Sequence, residues 1–237
     1  MIWTRSLLFA ALFYGFSAVL AIGLSPLLLG PRSWAMAVMT TWGKGVTWLL
    51  RVICGVKVEV RGREHLPAGA ALIAAKHQCM FDIFGSLAFL PDGCYVLKKE
   101  LVNIPFFGWW ALRSRMIVVD REGHSAALRK LVADSRDRMT EARQLVIFPE
   151  GTRRHPGEAT DYKPGIAALY RELEMPVVPL ALNTGVHWAP RGILMQPGTI
   201  VFEFLPPIAA GLKRAEFMRE LEGAIEPACQ RLLDEGL

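Results

Sequence analysis

The sequence predicts an α/β protein, a mixed sheet flanked by helices, preceded by a membrane-associated helical hairpin. Three observations lead there. An uncharged stretch runs from Leu7 to Gly30, bracketed by Arg5 and Arg32. Beyond Val56 the texture changes to short apolar runs that alternate with helical patterns and are divided by turn residues. The chain closes on a single amphipathic segment, Lys213 to Glu235. Such alternation implies a sheet covered by helices, with the active groups at strand ends.

The segment from Leu7 to Gly30 is long enough to cross a bilayer core as a helix, although Gly15, Gly23 and Pro26 interrupt it. As the apolar region of a secretory signal it would be unusually long. A second apolar segment, Trp34 to Val56, carries only Lys44 and Arg51, with Trp34, Trp42 and Trp48 suited to an interface. Pro31-Arg32 marks the turn between the two. The expected hairpin spans the bilayer twice or dips into one leaflet, with Arg5, Lys44 and Arg51 on the cytoplasmic side. A buried hairpin in a soluble protein is the alternative. The expected division is residues 1–56 for the hairpin and 57–237 for the α/β domain, which faces the cytoplasm from the membrane.

Val56 to Val60 alternates with period two and stops at Arg61-Gly62-Arg63, which reads as a strand. Ala70 to Ala75 is a continuous apolar run, a buried strand that delivers His77 just beyond its carboxyl end. Ile83 to Leu90 reads as a helix closed by Pro91-Asp92-Gly93. Cys94 to Leu97 and Met116 to Val119 are further strands, joined through the turn Ile104-Pro105-Phe106-Phe107-Gly108. Ser125 to Ala142 is a charged amphipathic helix, Leu145 to Phe148 a strand and Gly165 to Leu173 a helix. Val177 to Leu182 and Thr199 to Phe204 complete the strands. In the closing segment Phe217, Leu221, Ile225, Leu232 and Leu233 fall at helical spacing.

Length and composition narrow the partners. The 237 residues suffice for one catalytic domain plus an appendage. Hydrophobic residues make up 52% and charged ones 21%, with a mean hydropathy of +0.29, so some apolar surface is expected to meet lipid. The net charge of +5 fits an anionic partner. The basic residues are scattered among apolar segments and form no nucleic-acid recognition motif, which favours lipid over nucleic acid. Cys54, Cys79, Cys94 and Cys229 form no C-x-x-C pair, so neither a disulfide framework nor a metal site is expected.

Two short segments carry the chemistry. Lys76-His77-Gln78-Cys79-Met80-Phe81-Asp82 sets an imidazole five positions before a carboxylate. If His77 stands at a strand end and Asp82 in the first helical turn, the two side chains can meet. The carboxylate would then fix the imidazole as a general base. A capping histidine beside a solvated aspartate is the competing reading. Phe148-Pro149-Glu150-Gly151-Thr152-Arg153 follows a buried apolar run. Pro149 stops the ladder and Gly151 admits a close backbone approach. Arg153 offers a planar fork for a phosphate, and Glu150 can orient the acceptor or that arginine. Lys98 and Lys99, before an aromatic-rich turn, and Arg121, after a strand, are further phosphate candidates. A solvated face is an equal reading for the two lysines. Val177 to Leu182, with Pro179, reads as buried wall.

In this order the segments resemble the glycerolipid acyltransferase family, specifically the 1-acyl-sn-glycerol-3-phosphate (lysophosphatidate) acyltransferases. His77 and Asp82 match that family's H-x4-D block, and Phe148 to Arg153 its F-P-E-G-T-R block. Lys98 to Gly108 with Val119-Asp120-Arg121 resembles its acceptor-binding block, and Val177 to Leu182 its proline-containing strand. Lys76 stands where the family usually has Asn, and Cys79 where it often has Ser. The resemblance implies transfer of a fatty acyl group from acyl-CoA or acyl carrier protein to the sn-2 hydroxyl of lysophosphatidate, giving phosphatidic acid. It implies His77 and Asp82 as the catalytic pair. Lys98, Lys99, Arg121, Glu150, Gly151, Thr152 and Arg153 would bind substrate, with no cofactor. Other acceptors, among them glycerol 3-phosphate, a lyso-ornithine lipid or another lysophospholipid, stay open. So do a cysteine-linked intermediate on Cys79 and a non-catalytic protein that binds anionic lipid.

Overall fold

A computed structural model describes residues 1–120, 123–158 and 161–236. Two helices come first, α1 (Ile2–Gly23) and α2 (Arg32–Leu49), joined by a 3-10 turn at Ser25–Leu29. One turn of π-helix, Leu50–Cys54, ends at Gly55, whose φ of +71° is open to glycine at little cost. There follow β1 (Val56–Arg61), β2 (Ala71–Ala75), α3 (Phe81–Leu87), β3 (Gly93–Lys98), α4 (Phe107–Arg113) and β4 (Ile117–Val119). The remainder is α5 (His124–Thr140), β5 (Gln144–Ile147), α6 (Pro164–Leu173), β6 (Val177–Leu182), α7 (Thr184–His187), β7 (Gly198–Phe204) and α8 (Arg214–Gly236).

The seven strands form one sheet in the order β1-β7-β6-β2-β5-β3-β4. Strands β2 to β6 are parallel to one another, while β7 meets β6 antiparallel and β1 follows β7. The sheet is therefore mixed, as expected, and helices flank it. β2, β5 and β6 bury every residue, which explains their unbroken apolar runs. Pro179 sits in β6, opposite Ala74, and its carbonyl accepts the Leu205 N–H at 2.9 Å. Because β2 lies between β5 and β6, the segments leaving these three strands emerge side by side at one edge. That topology brings residues 76–82, 148–153 and 183–185 together.

Among the described residues one helix, α1, is long and apolar enough to cross a membrane. It exposes Trp3, Leu7, Leu8, Leu12, Val19 and Ile22. α2 divides its roles differently. It buries Ala35, Met36, Val38, Met39, Gly43 and Val46 while Trp34 and Trp48 stay exposed. At Gly43 the packing on α3 is so close that a Cβ would come within 2.6 Å of the Phe84 carbonyl oxygen. Trp42 Nε1 donates to Ser17 Oγ at 2.9 Å and ties the two helices together.

The hairpin turn is also held from outside. Arg32 forms a bidentate pair with Asp92, and the fully buried Arg143 donates to the same carboxylate at 3.1 Å. α4, which the sequence pattern presents only as a turn, supplies Trp110 Nε1 to the Ala21 carbonyl at 3.1 Å and Arg113 to the Gly30 carbonyl. Gly43→Ala is expected to lower stability by about 1–3 kcal/mol through overpacking. Thermal unfolding of the detergent-solubilised protein checks this, with an unchanged Tm as the contrary result.

Candidate active site

β2 ends at Ala75, and the Lys76 N–H still donates to the Leu180 carbonyl of β6 at 3.0 Å. The chain then turns through His77 to Met80 into α3, whose first turn carries Asp82. Five residues thus fold back, and His77 Nδ1 reaches Asp82 Oδ2 at 2.7 Å. The same oxygen accepts the N–H groups of Gln78 at 2.6 Å and Cys79 at 2.9 Å. The other oxygen accepts from Thr184 Oγ1, at the start of α7. This many donors hold the carboxylate in one orientation. As an acceptor it requires the proton on His77 Nδ1, which leaves Nε2 with its lone pair. The imidazole stacks on Phe148, with ring centroids 4.1 Å apart, and its side chain retains 14% exposure.

The second segment locks the backbone of the first. β5 ends at Ile147, and Gly151 turns the chain with φ +67°. Glu150 points inward, is 1% exposed and accepts the His77 N–H through Oε1 at 2.8 Å. The Arg154 N–H in turn donates to the His77 carbonyl at 2.9 Å. Glu150 has a charged neighbourhood. Lys76 Nζ lies 3.6 Å from its Oε2 and is bound to both oxygens of Glu226, on α8, at 2.8 and 2.9 Å. Tyr162 donates to Glu226 at 2.7 Å. Burial pushes the Glu150 carboxyl up to about 7, the His77 N–H and Lys76 pull it down, and Glu226 and Asp82 push it up.

The other expected residues are spread around this centre. Arg153 is exposed and donates to the Pro190 carbonyl at 2.9 Å, and Thr152 beside it is also exposed. Lys98 ends β3 on the surface, and Lys99 pairs with Asp120 at 2.9 Å. Arg121 lies outside the described residues. Cys79 is fully buried with its thiol pushed well above the usual range, first by burial and then by Asp82, so it is a poor nucleophile here. All four cysteines are free thiols. Among the described residues no group of three or more His, Cys, Asp or Glu is placed to hold a metal ion.

Between α1 and the loop after α7 lies a cleft of about 220 Å³. Phe9, Phe13 and Tyr14 of α1 wall one side, and Trp188 and Ile193 the other. Met80 and Arg153 reach it from the two motif turns, so an apolar groove carries a guanidinium at its edge.

Comparison with known proteins bears on this arrangement. Residues 57–183, more than half of the chain, match the family described as Acyltransferase. The chain belongs to the acyltransferase family. It is 36% identical to the 1-acyl-sn-glycerol-3-phosphate acyltransferase of Pseudomonas aeruginosa over 163 residues, 69% of this chain and 63% of that protein. It is 31% identical to the enzyme of that name from Saccharomyces cerevisiae over 165 residues, 68% of this chain and 54% of that protein. The chain therefore spans less than two thirds of the length of these relatives. The crystal structure of the 1-acyl-sn-glycerophosphate (LPA) acyltransferase PlsC from Thermotoga maritima superposes with a TM-score of 0.81 at 22% identity, covering 98% of each chain. The fold shared with that structure therefore includes the amino-terminal helices as well as the sheet.

Three participants carry no signal readable from the sequence. Thr184 reads as part of an Asn-Thr-Gly turn, yet its hydroxyl completes the Asp82 shell. Gln78 looks like a spacer, but its Oε1 accepts the Gly185 N–H at 2.8 Å. Glu226, 150 positions from Lys76, meets it only through folding. Asp82→Asn keeps the shape but favours the wrong imidazole tautomer, so kcat is expected to fall by about 10³–10⁴ with the fold intact. Steady-state kinetics alongside circular dichroism test this, and a loss below tenfold would contradict the orienting role.

Proposed function

We propose that this acyltransferase-family protein transfers a fatty acyl group from a thioester donor, acyl-CoA or acyl carrier protein, to the sn-2 hydroxyl of 1-acyl-sn-glycerol 3-phosphate. The observation that carries the reading is the 2.7 Å contact between His77 Nδ1 and an otherwise saturated Asp82 carboxylate. In this mechanism His77 Nε2 takes the hydroxyl proton and the alkoxide oxygen attacks the thioester carbonyl. The tetrahedral intermediate collapses, the C–S bond breaks, and His77 returns the proton to the departing thiolate. Asp82 stabilises the imidazolium between the two steps. No acyl-enzyme is needed, in keeping with the burial of Cys79.

The acceptor is amphipathic, and so is the cleft beside the dyad. Arg153 would hold the phosphate while the groove between α1 and Trp188 takes hydrocarbon. Lys98, Lys99, Glu150, Gly151, Thr152 and Arg121 belong to the same proposal, Glu150 through the His77 backbone and the others through the headgroup. With α1 in the membrane, the site would open to lipid while the catalytic domain faces the cytoplasm.

Purified protein in mixed micelles, given radiolabelled acyl donor and lysophosphatidate, is expected to form phosphatidic acid. His77→Ala should abolish the product, and Cys79→Ser should retain substantial activity. An inactive Cys79→Ser together with acyl label trapped on the protein would reverse the mechanism. Arg153→Ala is expected to raise the acceptor KM about tenfold or more, the worth of one charge-assisted contact, with the donor KM little changed. Equal effects on both substrates would contradict the phosphate role.

A further inference from the structure

The buried lysine next to the catalytic histidine has no part in the chemistry described so far. Lys76 is 2% exposed, and a buried ammonium persists only where counter-charges meet it. Two do, from different elements. Glu226 of α8 binds it with both oxygens, and Glu150 of the β5 turn lies 3.6 Å away. The Glu150 oxygen on that side, Oε2, is buried and has no hydrogen bond, so Lys76 is its nearest source of positive charge. The opposite oxygen carries the His77 N–H. A chain of contacts therefore runs from α8 through Glu226, Lys76 and Glu150 to the main chain of the catalytic base.

We propose that Lys76 and Glu226 are positioning residues for acyl transfer: the ammonium, shared between Glu226 and Glu150, keeps the Glu150 carboxylate charged so that it grips the His77 backbone. This deepens the acyl-transfer reading and rests on it. The groups facing Glu150 are Lys76 and the His77 N–H from the end of β2, Asp82 from α3, Glu226 and Cys229 from α8, and Tyr162 from the loop before α6. Glu226 is partly open, its side chain 31% exposed toward a cavity of about 610 Å³ that Lys76 and Gln78 also line. Solvent thus reaches the outer half of the chain of contacts, and protons can exchange there.

The signs follow from charge alone. Burial favours the protonated form of Glu150, and the positive charge of Lys76 opposes it. Lys76→Met removes that opposition, so Glu150 takes up its proton at higher pH. Glu226→Gln removes a repelling charge and frees Lys76 for Glu150, so the proton is taken up at lower pH. The charged carboxylate binds the His77 N–H about twice as strongly as the neutral acid. Activity should therefore fall as pH drops through the Glu150 titration.

The first experiment needs no turnover. Infrared difference titration of the full chain in detergent follows the protonated-carboxyl band that Glu150→Gln abolishes. Its midpoint is expected to rise by about one pH unit or more in Lys76→Met and to fall in Glu226→Gln. The second follows kcat against pH with lysophosphatidate. The acid limb should move the same way in each variant, kcat of Lys76→Met at neutral pH should fall about tenfold, and the acceptor KM should hold within about twofold. Glu226→Asp should restore the wild-type limb. In a Glu150→Gln background neither substitution should move it. Midpoints unmoved by either variant, or limb shifts that persist without Glu150, would overturn the proposal. If the acyl-transfer reading itself failed, the wild-type chain would show no turnover, a result separable from the infrared midpoints. Glu226 is partly exposed, so Glu226→Gln still reports if Lys76→Met fails to fold.

Discussion

Asp82 is a carboxyl group that the fold has placed out of water, and much of the architecture at this edge serves to satisfy it. A buried carboxylate without partners would cost several kcal/mol or simply take up a proton. Here two backbone N–H groups, the Thr184 hydroxyl and the His77 imidazole converge on it. Each partner comes from a place fixed by the sheet. His77, Gln78 and Cys79 leave β2, Asp82 opens α3, and Thr184 follows β6. If β2 and β6 were not neighbours, the hydroxyl could not arrive and Oδ1 would keep only the weak Cys79 thiol donor at 3.7 Å. The requirement for a satisfied carboxylate and the strand order β6-β2-β5 thus constrain each other.

The same logic explains the second motif. Glu150 lies far enough inside that its carboxylate serves the protein rather than the solvent. It closes the amide of His77 just as the Arg154 N–H closes its carbonyl, so His77 is pinned at both main-chain atoms. Phe148 then limits ring rotation by stacking. A general base works when its lone pair is aimed and its charge after protonation is stabilised. In the proposed mechanism rigid supports on three sides would achieve the first, and Asp82 the second. The membrane-length helix α1 also walls an apolar groove that Met80 and Arg153, from the two motif turns, line on another side.

Much of this was visible in the sequence, because local periodicity and turn chemistry dominate it. Uninterrupted apolar runs gave the buried parallel strands to within a residue or two, as with Ala71–Ala75 and Val177–Leu182. The spacing of His77 and Asp82 was interpretable because a strand end followed by a helical turn closes five residues into contact. Short helices were harder. α4 holds two tryptophans and is capped by Phe106, whose φ is +61°, a conformation that apolar patterning does not signal. α7 is a single turn in which Gly185 leaves no room for a side chain against Pro156 and Gln78. Long-range pairs such as Lys76 with Glu226 or Asp82 with Thr184 have no local signature, since each depends on strand order. The inward orientation of Glu150 was hidden for the same reason.

The state of the His77 ring is the most direct test of the account. Uniform ¹⁵N-histidine labelling, with His77 assigned by comparison to His77→Gln, reports which ring nitrogen carries hydrogen. The account predicts that the neutral imidazole carries its hydrogen on Nδ1 and is bare on Nε2. A neutral ring with its hydrogen on Nε2, or rapid averaging between the two forms, would contradict it.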